Sequence, residues 1–241
     1  GVAESGINLQ ITRRLYEILR FLGHPAVMTR TGDEAIYDDA AATLREKKVS
    51  DLKNRTKLAN ETAGGLLISI HQNCLPGYPN VRGAQVFYNA VLPSRQLAEA
   101  MQQTLNTAVN TDRAKAAMPI GDGVYLMTHT TCPAILVECG FLSSPQETAL
   151  LQQPSYQMKI AAVIAAATAN IVRVREQHES KNRLFLHRVR QREPQVVGSL
   201  RRLRRVELHG GAAGGAACQK RKDPAHRKCC KRVSPYILAG G

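Results

Sequence analysis

Pro133-Ala-Ile-Leu-Val-Glu138-Cys-Gly-Phe141-Leu-Ser-Ser-Pro-Gln-Glu147 is the stretch that organises this chain. Ala134 to Val137 is a short apolar run and reads as a buried strand. It ends on a carboxylate, and a Gly and a Ser-Ser-Pro turn follow at once. A charge at the exit of a buried strand is costly unless a partner or cation awaits it. In open α/β sheets, strand ends are also where sites are built. Glu138 is therefore the first residue to explain.

Outward from this stretch, helical and strand patterns alternate to about residue 178. Ile7, Ile11, Leu15, Ile18 and Leu22 recur at helical spacing, which predicts an amphipathic helix over 5–22, ended by Gly23. Strands are predicted over 26–29, 66–70, 84–88, 124–127 and 134–137. Helices are predicted over 39–62, with a break near Val49-Ser50, over 92–109, and over 156–174. Strands separated by helices imply a three-layer αβα domain with a mixed central sheet over residues 1–178. With 241 residues, 44% hydrophobic and 5% aromatic, the chain is long enough for a core, and that core is aliphatic. No apolar run approaches the ~20 residues that span a bilayer.

The net charge of +14 points at first to nucleic acid. Its distribution does not. Residues 1–180 carry 17 Lys/Arg against 16 Asp/Glu, and residues 181–241 carry 16 against 3. The basicity belongs to the tail, so no nucleic-acid partner is expected for the folded domain. The tail, 179–241, has Arg-rich runs and a Gly/Ala stretch without periodicity, and reads as irregular and disordered. A basic nucleic-acid-binding protein acting through this tail is the competing functional class. A sharper reading is that the tail is a frameshift product. Plausible codons for Phe185 to Glu207, read one nucleotide later, can spell two C-x-x-C pairs like those of RadA-type DNA-repair ATPases. The six Cys show no disulfide framework.

Three polar anchors stand at element ends: Glu4, His71 and Glu138. Each alone has an ordinary reading, as a helix-terminus charge, a surface histidine and a salt-bridged carboxylate. Together they are an imidazole and two carboxylates at the border of one sheet. That set suits zinc with a further carboxylate as general base.

Glu4-Ser-Gly-Ile-Asn-Leu9, Thr29-Arg30, Asn54-Arg55 with Ala59-Asn60, Ser69-Ile-His71-Gln-Asn73 and Val137-Glu138-Cys-Gly-Phe141-Leu142 occur in the order of a known family. The chain resembles the zinc-dependent N-acetylmuramoyl-L-alanine amidases of the amidase-3 type over residues 1 to about 175. Leu44 to Arg55 is similar to the spore-cortex subgroup usually named CwlD. The resemblance implies Zn2+ as cofactor, Glu4 and His71 as ligands, and Glu138 as the catalytic carboxylate. It implies Arg55 and Asn73 as support or substrate contacts. It implies peptidoglycan as substrate, an extracytoplasmic or cell-wall location and an accessory protein of unknown identity. The family carries a further zinc-binding His after an upstream first strand, which lies outside this sequence. The expectation is therefore a sheet lacking its first strand, a two-ligand site, and a chain that is inactive as it stands. An inactive wall-binding fragment is a third reading.

Overall fold

In a computed structural model, the described residues are 2–170 and 236–240. The first helix, α1 (Glu4–Phe21), buries Ile7, Ile11 and Leu15 as the spacing predicts; Leu19 completes the stripe, whereas Ile18 is half-buried and Leu22 lies exposed past the helix end. It ends at Gly23, whose positive φ of 80° lets the His24 N–H reach back to the Leu19 carbonyl. Then follow β1 (Ala26–Met28), α2 (Leu44–Glu61), β2 (Leu66–Asn73), β3 (Gln85–Tyr88), α3 (Ser94–Ala108), β4 (Met118–Pro119), α4 (Tyr125–His129), β5 (Ala134–Phe141) and α5 (Pro145–Leu151). A helix over residues 154–170, α6, and a last strand, β6 (Tyr236–Gly240), complete the described elements.

The sheet order is β1-β6-β2-β5-β3-β4. The first four strands are mutually parallel, β3 is antiparallel to β5, and β4 is parallel to β3. The mixed α/β sheet expected from the sequence is present. One face carries Leu67, Ala134, Leu136, Ile237 and Ala239, covered by Ala59 of α2 and by Leu126 and Met127 of α4. Alternate residues, among them Ile68, Ile70, Ile135, Val137 and Leu238, turn to the opposite face. There α1 packs against β1, β2 and β6.

Four expectations change. First, residues 236–240, read as part of the irregular tail, form a strand between β1 and β2. Their Tyr236, Ile237 and Leu238 are essentially fully buried, and they pair in parallel with both neighbours. An isolated apolar pentapeptide beside basic runs carries no local mark of its partners, because strand pairing is non-local. The rest of 179–241, and with it the domain boundary at 178, lies outside the described residues. Second, α2 runs without a break at Val49-Ser50. It starts on a capping box, in which Thr43 Oγ1 accepts from Glu46 N–H and the Glu46 carboxylate accepts from Thr43 N–H. Third, residues 124–127 are not a strand. The Val124 carbonyl accepts from both the Met127 and Thr128 N–H, which winds this segment into α4; short apolar runs do not distinguish the two states. Fourth, β2 and β5 extend past Ile70 and Val137, so His71 and Glu138 lie within their strands, not beyond them.

Gly240 is required where β6 meets α1. A Cβ there would stand 3.0 Å from Thr12 Oγ1 and 3.3 Å from the Asn8 backbone. Two guanidinium groups seal the same strand end: Arg30 Nε and Arg55 Nη1 both donate to the Gly240 carbonyl, at 3.0 and 2.9 Å.

Candidate active site

The parallel register of β2 and β5 sets His71 directly opposite Glu138. Glu4, in the first turn of α1, reaches the same point from above the sheet. Its Oε1 lies 3.1 Å from His71 Nδ1 and accepts from the Gln72 N–H and from Asn8 Nδ2, both at 3.0 Å. Burial pushes the Glu4 carboxyl up, but hydrogen bonds from His71, Asn8 and the Gln72 amide outweigh it and hold it at about 2. An ionised carboxylate only accepts, so His71 Nδ1 bears a proton toward Glu4. His71 Nε2 lies 3.1 Å from Ser69 Oγ, within hydrogen-bond distance. The imidazole is thus held between the Glu4 carboxylate and the Ser69 hydroxyl.

Glu138 is the opposite case. Its Oε2 is buried without a hydrogen-bond partner among the described residues. Burial raises its carboxyl to about 7; the neighbouring His71 opposes the rise and the Glu4 carboxylate adds to it. Two carboxylates a few residues apart in space are thereby split into a permanently charged one and one that exchanges a proton near neutrality. Cys139, the next residue, is fully buried on the other face, and burial pushes its thiol far up, so it is no nucleophile.

The sequence-predicted residues divide accordingly. Glu4, His71 and Glu138 come together. Arg55 lies beneath them rather than facing solvent: its Nε and Nη2 hold both Asp51 oxygens at 2.7 and 3.2 Å, and its Nη1 caps β6. Asn73 sits at the end of β2 opposite Phe141, where its carbonyl accepts from the Leu142 N–H at 2.7 Å. Sequence reasoning assigned no role to Asn8, Gln72, Ser69 or Glu147. Asn8 is four residues after Glu4, the helical spacing of side-chain partners, which was a readable signal; its Oδ1 also accepts from Gln72 Nε2. Glu147 is buried and accepts from the Phe141 and Gly83 N–H at 2.8 and 2.9 Å, tying the exit of β5 to the entry of β3. No local pattern announces such a non-local bond.

The donor set tests the expected metal. Imidazole and carboxylate are suitable zinc donors, but among the described residues no group of three or more His, Cys, Asp or Glu is disposed to hold an ion. The strand end beside His71 is Ala239-Gly240, which brings no donor side chain. Catalytic zinc sites use three protein ligands, so the described residues do not make up a full zinc site.

A groove of about 420 Å3 opens beside this centre, between α2 and α4. His71, Ser69 and Leu136 form its floor, and Leu52 and Val124 are among its walls. Two larger clefts, of about 560 and 540 Å3, contain none of Glu4, His71 or Glu138.

Comparison with known proteins agrees with this fold. The family described as Amidase_3, N-acetylmuramoyl-L-alanine amidase, matches residues 1–170. The chain is 32% identical over 161 residues to the germination-specific N-acetylmuramoyl-L-alanine amidase of Bacillus subtilis, covering 67% of each protein. The CwlD amidase of Clostridioides difficile, solved in complex with the GerS lipoprotein, superposes with a TM-score of 0.68 at 32% identity, over 72% of this chain and 88% of that one. The catalytic domain of CwlV, an N-acetylmuramoyl-L-alanine amidase from Bacillus (Paenibacillus) polymyxa, superposes with a TM-score of 0.57 at 26% identity, over 71% and 86%. With its sheet, its Glu4–His71–Glu138 centre and a match that spans residues 1–170, the chain belongs to the N-acetylmuramoyl-L-alanine amidase family.

Proposed function

We propose that Glu138 is the proton carrier of an amidase centre that opens the bond between N-acetylmuramic acid and L-alanine in spore peptidoglycan. One observation carries the assignment of roles. Glu138 holds an unpartnered buried oxygen and a pKa of about 7, beside a Glu4–His71 pair that is already locked. A carboxyl titrating near the working pH can take a proton from an attacking water and return it to the leaving amine. Glu4 and His71 keep a fixed negative charge and an oriented imidazole next to it. Asn8 and Gln72 hold both in place.

The family is generally metal-dependent, and Glu4 and His71 are the donors this chain would contribute to zinc. A third donor has to come from outside the described residues. The spore-wall assignment is supported by the likeness to the germination-specific amidase and to CwlD. That likeness also supports a lipoprotein as an accessory partner and a site of action outside the cytoplasm. The deciding experiment compares two proteins on purified cortex muropeptides with added zinc, following new L-alanine amino termini. One is this chain. The other carries at its N-terminus the leading segment of the germination-specific relative. The extended protein is expected to cleave and its Glu138→Gln variant to be inert. Robust cleavage by the unextended chain would show the donors to be misassigned.

A further inference from the structure

Resting on that reading, we propose that the groove between α2 and α4 holds the peptide arm of the substrate, one beginning with alanine and bearing a free carboxylate on its second residue, and that Lys48 receives this carboxylate.

The strand β1, helix α2 and strand β2 form a crossover between parallel strands, so α2 runs opposite to the strands it joins. Its N-terminal half therefore overhangs the sheet edge where His71 and Glu138 stand. Lys48, Asp51, Leu52 and Arg55 all line the groove, at the spacing of one helix face. Arg55 marks the inner level: it bonds the Gly240 carbonyl, and Gly240 pairs with Ile70, the residue before His71. Lys48 is seven residues, about 10 Å, further out along the helix. Two residues of extended peptide span roughly 7 Å. A peptide whose first nitrogen is at His71 thus brings its second side group near the reach of the Lys48 ammonium.

The lining decides which half of the substrate enters. Leu52, Val124 and Leu136 offer apolar surface, which suits an alanine methyl and not a hydroxyl-rich sugar. Asp51 and Arg55 neutralise each other. Lys48 is exposed and takes no ion pair among the described residues, so it is the groove's uncompensated charge. A cation at the mouth of an apolar slot is complementary to an acidic peptide.

The test is binding, which needs no metal. N-acetylmuramoyl-L-alanyl-γ-D-glutamyl-L-lysine amide is titrated against the full chain, followed by isothermal calorimetry at low salt. The same compound amidated at the glutamyl α-carboxylate is titrated in parallel. The acid is expected to bind about three- to fivefold more tightly, the scale of a partly exposed ion pair, and the preference shrinks at high salt. Lys48→Ala abolishes the preference, Lys48→Glu reverses it, and Lys57→Ala leaves it in place. Equal binding of acid and amide, or a preference that survives Lys48→Ala, overturns the proposal and leaves the amidase reading standing. Failure to bind either compound overturns both.

Discussion

Glu138 and His71 face each other across the parallel ladder of β5 and β2, yet only His71 is held by hydrogen bonds; Glu138 keeps a buried oxygen with no partner among the described residues. The centre is thus half locked and half poised. Its rigid members are the ones that would orient a reacting group, and its unsatisfied member is the one that would exchange a proton.

The two carboxylates give opposite pH signatures in the metal-free protein. Folding raises the Glu138 pKa from 4.5 to about 7, so the folded state binds its proton more tightly than the unfolded chain. Stability is full below pH 4.5 and declines as the pH rises through 7, by on the order of 3 kcal/mol. Folding lowers the Glu4 pKa to about 2, so its contribution is present above pH 4.5 and is lost as the pH falls through 2. Urea midpoints of chelator-treated protein at pH 5 and pH 8 check the first window. Glu138→Gln should raise the midpoint at pH 8 and leave little difference between the two conditions.

Glu4 acts as a clasp between α1 and β2. One of its oxygens accepts from His71, Asn8 and the Gln72 amide. Glu4→Ala strands these donors and is expected to cost about 1–3 kcal/mol. Hydrogen exchange at the Gln72 amide should accelerate by roughly tenfold or more, since about 1.4 kcal/mol is tenfold. An unchanged Gln72 protection factor would show that α1 is held over β2 by packing alone.

Arg55 acts through the fold. Removing its side chain unpairs the half-buried Asp51 and strips a donor from the Gly240 carbonyl. Arg55→Ala should destabilise by about 3 kcal/mol, and Arg55→Lys should recover only part, because an ammonium cannot reproduce the two-pronged contact with Asp51. A variant with normal urea stability but weakened muropeptide binding would place Arg55 in the substrate site instead.

Strand β6 is indispensable to the sheet. Deleting residues 236–240 exposes one edge each of β1 and β2 and removes three large buried side chains, Tyr236, Ile237 and Leu238, besides Ala239. At roughly 2 kcal/mol each, their loss approaches the whole stability of a typical domain. Circular dichroism should report loss of the cooperative transition. A synthetic peptide spanning residues 233–241, added in excess, should restore it by refilling the slot. A deletion variant that melts cooperatively without the peptide would show that β1 and β2 close on each other.

Local order was legible in the sequence wherever a periodic pattern was long enough to exclude the alternative. The spacing of Ile7, Ile11, Leu15 and Ile18 specified α1, and the run from Ala134 to Val137 specified the heart of β5. The same rule failed at Val124 to Met127, where four apolar residues fit a strand as well as the helical turn they form. The polar anchors were legible too, because Glu4, His71 and Glu138 are out of place in apolar settings unless they meet. What the sequence could not determine is the set of relations between distant segments. That His71 faces Glu138, that Gln72 and Asn8 share the load of Glu4, and that Arg55 turns inward all follow from strand register and helix packing. The extreme case is Tyr236 to Gly240, five residues whose composition resembles many apolar segments. Their place in the middle of the sheet was decided by two open strand edges more than 160 residues away, and pairing energy of that kind exists only once the tertiary structure brings the partners together.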